Sequence, residues 1–536
     1  MKEFTLIITA LCALLFSCSN GSESSSNPPS QKKNSDWLFL FYFDADDSNI
    51  NDDLYTNLRE IEAAFAQTRN EDGSPKEGYA SVNALLLWDG ISEEKKSAQK
   101  FIHADGALYE IGADYTLQVV PTQGNEYGDG RVYLTEGFSV GANTKDLTAE
   151  AGSWLAKEPD MSDPATFTNF LKWAKEHYTA TNVVVCLQDH GSGTFRETYT
   201  NSTALTQALC IDASVDTGRL LTCKNITDAL TEAGWTGADK PKILWNDVCL
   251  QATTEIAWNY RGVADYYCAS PNVSLMPNYY GIFTNIKKDV SALNLGKVIV
   301  SSYFERYYKD PRTCPSNPTE AQGQRASGTS MFTQSFISLD TNKLTELKNA
   351  VEKLSQDLLT IKENNGDVFN SIYTNYIKQS LDVLKDCKGL AYPGTYAWLN
   401  DLGWFCDTIL SDDDLTLAYE SATSLRNLLK NGDDKLIIYA WGGRCATEDN
   451  AQGQWTTTTE NQMYLTGKKD FISQKNISTE KDVEVYGLTI AGSSWKPNKD
   501  EANPMLHYYD WTGFSESWGK VIKAWWDYEL SLVQSN

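Results

Sequence analysis

At 536 residues the chain is long enough for two or more domains, and its 41% hydrophobic and 12% aromatic content supplies ample core material. Lys and Arg total 46 against 71 Asp and Glu, a formal net charge of −25, which argues against nucleic acid and anionic membrane surfaces as partners and leaves cationic substrates compatible.

The chain opens with Lys2 and a nearly unbroken apolar run over 4–16, then Leu15-Phe16-Ser17-Cys18. The run is short for a span, which needs ~20 apolar residues, and no later run approaches that length. A small residue before Cys at that place resembles the lipobox of bacterial lipoproteins. It implies a signal peptide at 1–17 and a lipid on Cys18, the only anchor, holding the protein to the cell envelope on the periplasmic face or cell surface. An ordinary signal peptide or short anchor is the alternative. Residues 18–35, rich in Ser, Asn, Pro and Lys, cannot bury enough surface to fold and read as a flexible stalk, with ordered sequence starting at Trp37.

The continuous apolar run over 37–43 predicts a buried strand. A helix over 54–67 follows, with Leu58, Ile61, Ala64 and Phe65 on one face, then a buried strand over 82–88. Shorter strands are predicted over 108–111, 116–120 and 132–135. Asp163-Pro164 is a helix start, with Asp as cap and Pro in the first turn, and Phe167, Phe170, Leu171 and Ala174 form its apolar face. A strand over 182–187, a helix over 225–233, a strand over 242–245, a helix over 252–260 and a strand over 264–269 complete the series. Alternating apolar strands and helices predict an α/β fold: a mostly parallel sheet covered by helices on both faces. Its site lies outside the carboxyl ends of the strands. The predicted division is an α/β domain at 36–340, which would carry the site, and a C-terminal α+β region at 341–536 packed on it, with a helix over 344–361.

Four His make the search for chemistry short. His103 lies among hairpin-like segments, His177 at a helix end and His507 in an aromatic-rich tail. His190 follows Val183 to Asp189 directly off a buried strand, and the glycines of Gly191-Ser192-Gly193 let backbone approach a ligand. A structural, fully satisfied His is the competing reading. Cys249 has the same address on another strand, after Trp245-Asn246-Asp247-Val248. A helix N-terminus beside it favours thiolate, and Cys with His on neighbouring strand ends is a nucleophile and its base. Nine Cys remain after Cys12 and Cys18, an odd number with no tight pairing, so at least one is unpaired.

Here the residues resemble the clostripain family of cysteine peptidases. Asp189-His190-Gly191-Ser192-Gly193 is similar to its Asp-His-Gly-Gly-Gly segment, and Asn246-Asp247-Val248-Cys249-Leu250 with Glu255 to its Asp-Ala-Cys-Leu-Met…Glu segment. The opening strand and Asp-rich turn, Asp160-Met161-Ser162-Asp163-Pro164-Ala165-Thr166-Phe167, Ala264-Asp265-Tyr266 through Ser270, and Val485-Tyr486-Gly487-Leu488-Thr489-Ile490 fall in family order. The resemblance implies a caspase-like fold and cleavage of protein or peptide substrates after Arg or Lys. It makes His190 the acid or base, Cys249 the nucleophile, and the N–H groups of Gly191 and Cys249 the oxyanion donors. Asp247 would line the pocket for a basic side chain, as a carboxylate holds Arg by a bidentate pair; a turn residue capping the next helix is the other reading. Ser192 and Gln251 replace a Gly and a Met of the pattern and remove no catalytic group. The resemblance also implies internal cleavage between the His and Cys segments, at Arg196, Arg219, Lys224, Lys240 or Lys242. No cofactor is required by this chemistry. Some members depend on calcium, for which Asp44, Asp46, Asp47, Asp52 and Asp53 offer oxygens without EF-hand spacing, so a solvated acidic turn is the competing reading.

Gly137-Phe138-Ser139-Val140-Gly141 matches a serine nucleophile elbow but lacks the strand before it and the helix after it. The Trp-rich second half (Trp398, Trp404, Trp441, Trp455, Trp495, Trp511, Trp518, Trp525, Trp526) is read as core packing, with a glycan- or peptide-binding surface as the alternative. Three functions therefore stand: a peptidase specific for basic residues, one with another preference, and a lipid-anchored binding protein on the same fold.

Overall fold

The computed structural model describes residues 32–47, 50–91, 99–121, 130–132, 134, 137–191, 208–210, 220–271, 274, 276–304, 331–377, 399–444, 464–466, 486–492 and 508–535. Cys18, the signal segment, Ser192, Gly193, Arg196 and Arg219 lie outside them.

One ten-stranded sheet organises the chain. Its strands are β1 (Lys33–Ala45), β2 (Val82–Gly90), β3 (Ala107–Glu110), β4 (Lys145–Asp146), β5 (Tyr178–Gln188), β6 (Ile243–Asp247), β7 (Tyr266–Ala269), β8 (Met331–Ser338), β9 (Ile437–Arg444) and β10 (Tyr464–Thr466). Their order is β10-β9-β8-β7-β6-β5-β1-β2-β3-β4. The five central strands, β2, β1, β5, β6 and β7, run parallel, and the flanks on both sides are antiparallel. Strands β9 and β10 come from the C-terminal part of the chain, so the sheet continues past residue 341.

The apolar character of β1 follows from burial on two faces. Its period of two sends Leu38, Leu40 and Tyr42 to one side and Trp37, Phe39, Phe41 and Phe43 to the other. The second side is covered by α1 (Asn51–Thr68), α5 (Tyr279–Thr284) and α6 (Ala292–Phe304). The first is covered by α2 (Pro164–His177), α3 (Cys223–Glu232), α4 (Thr254–Asn259), α7 (Thr341–Asn364) and α8 (Glu516–Ser535). Helix α2 begins where expected: the Asp163 side chain accepts from the Ala165 amide and Pro164 opens the first turn. The expected parallel sheet with helices on both faces is thus the fold.

Two readings need correction, and a third, core packing of the late Trp residues, holds where their side chains are described. Strand β1 starts at Lys33 rather than Trp37, because its polar first residues pair with the equally polar start of β5, Lys33 opposite Tyr178. Backbone pairing there leaves no hydropathy signal, so the reading of the whole 18–35 stretch as a stalk fails at its last residues. The strands expected over 116–120 and 132–135 shrink to a hairpin of 119–121 with 130–132. The Trp residues of the second half whose side chains are described, Trp518, Trp525 and Trp526, are buried core, not a binding surface. Trp518 Nε1 donates to the Ala491 carbonyl at 2.7 Å and Trp525 Nε1 to that of Phe369 at 3.2 Å, which satisfies the indoles internally.

Candidate active site

From β1 the chain steps outward to β2, and later returns to the other side of β1 to form β5 and then β6. The direction of winding therefore reverses between β1 and β5, and the crevice at their carboxyl ends is where α/β sheets take ligands. Three loops meet there: one carrying Asp46 and Asp47 after β1, one carrying Asp189 to Gly191 after β5, and one running from Val248 to Thr253 after β6.

His190 leaves β5 with its side chain about 40% exposed and Nε2 3.7 Å from Asp47 Oδ2. The Asp47 carboxylate raises the proton affinity of the imidazole, burial opposes it, and Asp189 adds to the rise. The other described histidines are occupied structurally. His103 stacks on Phe138 and its Nε2 bonds the Tyr109 hydroxyl at 3.1 Å, and His177 Nδ1 meets the Trp173 carbonyl at 2.8 Å.

Gly191 shows why a glycine follows the His. A Cβ at this position would lie 2.1 Å from the Cys249 carbonyl oxygen and 3.0 Å from the Cys249 nitrogen. The backbones of the His and Cys loops are in direct contact, and only glycine allows it. Gly191 also forms a single antiparallel bridge to Leu209.

Of the six described cysteines, Cys249 is the one not fully buried. Its Sγ accepts from the Ser274 amide at 3.3 Å. Burial pushes the thiol up to about 11, against the lowering pull of that amide and with Asp247 and Asp189 adding to the rise. Burial is the largest influence on the thiol. Helix α4 begins only at Thr254, and its free end is closed by Thr253, whose hydroxyl accepts from the Ile256 amide at 3.2 Å. Between thiol and helix lies Leu250 at φ +64°, a left-handed conformation that costs ~1–2 kcal/mol for a residue with a Cβ. The turn is held from the far side: the Ala252 amide donates to Ser270 at 2.8 Å, and the Thr489 amide donates to the Ala252 carbonyl at 3.0 Å.

Asp247 ends β6 and is buried. Its Oδ2 accepts from Gln188 Nε2 at 2.7 Å and the Tyr279 hydroxyl at 3.1 Å, and its Oδ1 from the Tyr303 and Ser274 hydroxyls, the latter at 3.3 Å. Gln188 in turn accepts from Asn57 Nδ2 at 3.0 Å. It does not cap α4, since Thr253 does. Glu255 is buried and accepts from the Ala491 amide at 3.0 Å and the Tyr508 hydroxyl at 2.7 Å, joining the helix after the Cys249 turn to the C-terminal part of the chain.

Of the carboxylates offered for calcium, Asp47 faces His190, Asp52 accepts from the amides of Lys100 and Phe101 at 3.3 Å, and Asp53 lies in the first turn of α1. Asp44 instead approaches Asp189 and Cys210, their ligand atoms within 4.8 Å of one another. Two carboxylates and a soft thiol do not fit calcium, which takes six to eight hard oxygens. Ser139 sits in a loop, its amide and carbonyl both bonded to the Tyr55 hydroxyl, and among the described residues no strand or helix adjoins it as a nucleophile elbow requires. Among the described processing candidates, Lys224 lies in α3, and Lys240 and Lys242 each pair with Asp265 at 2.8 Å.

Strand-end position points to His190, with its flanking glycine, and to Cys249, the family resemblance adds Asp247, and the loops that carry them meet. The sequence places Asp47 in an acidic turn, solvated or calcium-binding, rather than beside His190, and gives no signal for Ser274, Tyr279, Tyr303 or Gln188. Those residues become visible only when α5 and α6 fold over the strand ends.

Residues 136–518 match the clostripain family. The chain is 21% identical to clostripain of Hathewaya histolytica, covering 93% of this chain and 88% of that protein. Among solved structures it is similar to a secreted cysteine protease of Bacteroides thetaiotaomicron with an irreversible peptide inhibitor (14% identity, 90% of this chain and 98% of that one, TM-score 0.49). It is also similar to an inactive zymogen protease of Parabacteroides distasonis (14% identity, 91% and 98%, TM-score 0.47).

Proposed function

This chain belongs to the clostripain family and is a cysteine endopeptidase acting on peptide or protein substrates, and we propose that it cuts after Arg or Lys with Cys249 as nucleophile and His190 as base. The observation that carries this reading is the backbone contact between Gly191 and Cys249, which brings the two loops to one crevice with Asp247 beneath them.

In this reading the Cys249 sulfur attacks the scissile carbonyl while His190 takes the thiol proton. A thioester forms, and His190 passes the proton to the leaving amine. The amides of Gly191 and Cys249 stabilise the oxyanion. Water then hydrolyses the thioester with His190 again as base. Asp47 holds the imidazole and stabilises its charged form. Asp247 receives the basic side chain on the substrate residue before the cut. Fluorogenic peptides ending in Arg, Lys, Asn and Asp, offered to the mature protein, test this. Thiol-dependent cleavage after Arg and Lys is the expected result, and cleavage confined to Asn or Asp peptides refutes the basic preference.

One observation favours a second reading of specificity. Asp247 already accepts four hydrogen bonds, as many as a carboxylate has lone-pair sites. A carboxylate so engaged can serve as a scaffold for the pocket wall, and the preference is then not basic.

We also propose that Cys18 carries the lipid that tethers the enzyme to the cell envelope. Among the described residues no helix is long and apolar enough to cross a membrane. Cys18→Ala is expected to move the protein from the detergent phase to the aqueous phase on phase separation, and an unchanged distribution removes the anchor.

A further inference from the structure

Ser274 touches both halves of the site. Its main-chain N–H donates to Cys249 Sγ at 3.3 Å, and its hydroxyl donates to Asp247 Oδ1 at 3.3 Å. The hydroxyl is held from a third side by Gln334 Nε2 at 3.1 Å. Gln334 is buried on β8, an antiparallel strand of the sheet's rigid frame. A backbone amide in a loop has no fixed direction of its own. Here its direction is set by a side chain pinned between a strand residue and a strand-end carboxylate. An N–H aimed at sulfur stabilises thiolate over thiol.

We propose that Ser274 is a positioning residue for the nucleophile: its hydroxyl, clamped by Gln334 and Asp247, aims its amide at the Cys249 sulfur and so ties the state of the thiol to the P1 carboxylate. The inference rests on Cys249 being the nucleophile. The charged groups acting on the thiol are Asp247 on β6 and Asp189 at the end of β5, and both push its proton affinity up; His190 stands on the adjoining loop. The Ser274 amide is the counterweight to these and to burial. Ser274→Ala keeps the amide but frees its direction, and a hydrogen bond to a charged group is large enough for its loss to cost about tenfold in thiolate.

The test is the rate of iodoacetamide alkylation at Cys249, followed by mass mapping from pH 6 to 10 in the mature protein. On the rising limb the rate follows the thiolate fraction. Ser274→Ala is expected to react about tenfold more slowly at each pH, displacing the limb upward, and Gln334→Met to move it in the same direction. Ser274→Thr, which keeps the hydroxyl, is expected to restore the wild-type limb. A residue that merely packed the loop would give the opposite sign, since loosening it exposes the thiol and speeds alkylation. An unchanged or faster rate in Ser274→Ala overturns the proposal. Should that variant fail to fold, the same outcome in Gln334→Met overturns it. Because the label reads the thiol directly, a negative result is separable from failure of the Cys249 assignment, which shows instead as peptidase activity surviving in Cys249→Ala.

Discussion

Cys249→Ala is expected to lose thiol-dependent peptide cleavage by on the order of 10⁴-fold or more, and His190→Ala to lose a comparable factor. Neither change should unfold the protein. Cys249 is partly exposed and His190 about 40% exposed, so each removes little buried surface, and truncating one thiol costs ~1 kcal/mol at most. The two losses should not multiply. Burial holds the Cys249 thiol up at about 11, so near neutrality it is almost wholly protonated and has little standing nucleophilicity. In the proposed mechanism the proton is removed in the attacking step, so thiol and imidazole act as one unit, and the double variant is expected to be no slower than either single one. The same logic fixes the acid limb of the kcat/KM profile. His190 works as a base only when neutral, and Asp47 raises its proton affinity, so the limb lies above the ordinary His value of ~6.5. Replacing Asp47 by Asn moves it down. Steady-state rates on a fluorogenic peptide across pH, with denaturation midpoints for each variant, check both points. A His190→Ala enzyme within tenfold of wild type would remove the general-base role.

The elements that position this site were legible because each carries a strong local signal. Strands β1, β5 and β6 are buried on both faces and so read as unbroken apolar runs, and α2 announces itself through Asp163-Pro164. What lay at the strand ends then followed from topology alone. The support around those residues left no such trace. Tyr279 and Tyr303 come from helices far along the chain, and they reach Asp247 only because α5 and α6 cross the same sheet face. Ser274 and Gln334 have no periodicity to betray them, as one sits in a loop and the other is a polar residue inside a strand. The thiol was misjudged for a related reason. The sequence of the turn predicts a helix at 252, but Leu250 in a left-handed conformation and the Thr253 cap delay it to Thr254. Leu250 to Thr253 thus stand between thiol and helix, and burial is the largest influence on the thiol.

Asp247→Asn separates the two roles open to this carboxylate. If it receives a basic P1 side chain, removing its charge leaves the substrate cation in a buried pocket without a counter-charge. A buried charge stripped of its partner costs ~3–5 kcal/mol, which corresponds to a fall in kcat/KM for Arg and Lys peptides of about 10²- to 10⁴-fold. Peptides with neutral residues before the cut should be nearly unaffected, so the preference for basic residues collapses. The amide keeps the volume of the side chain but replaces one acceptor oxygen with a donor, and either the Tyr303–Ser274 pair or the Gln188–Tyr279 pair then faces an N–H. A stranded donor costs ~1–3 kcal/mol, so a drop in stability accompanies the change in specificity. The scaffold role predicts that drop alone, with Arg, Lys and neutral peptides slowed in equal proportion. Ser274→Ala, Asp247→Asn and the double variant close the argument. Asp247 is one of the groups that raise the proton affinity of the thiol, so Asp247→Asn alone is expected to speed alkylation of Cys249; if the Ser274 hydroxyl acts through Asp247, the effects of the two changes should not add in the double variant.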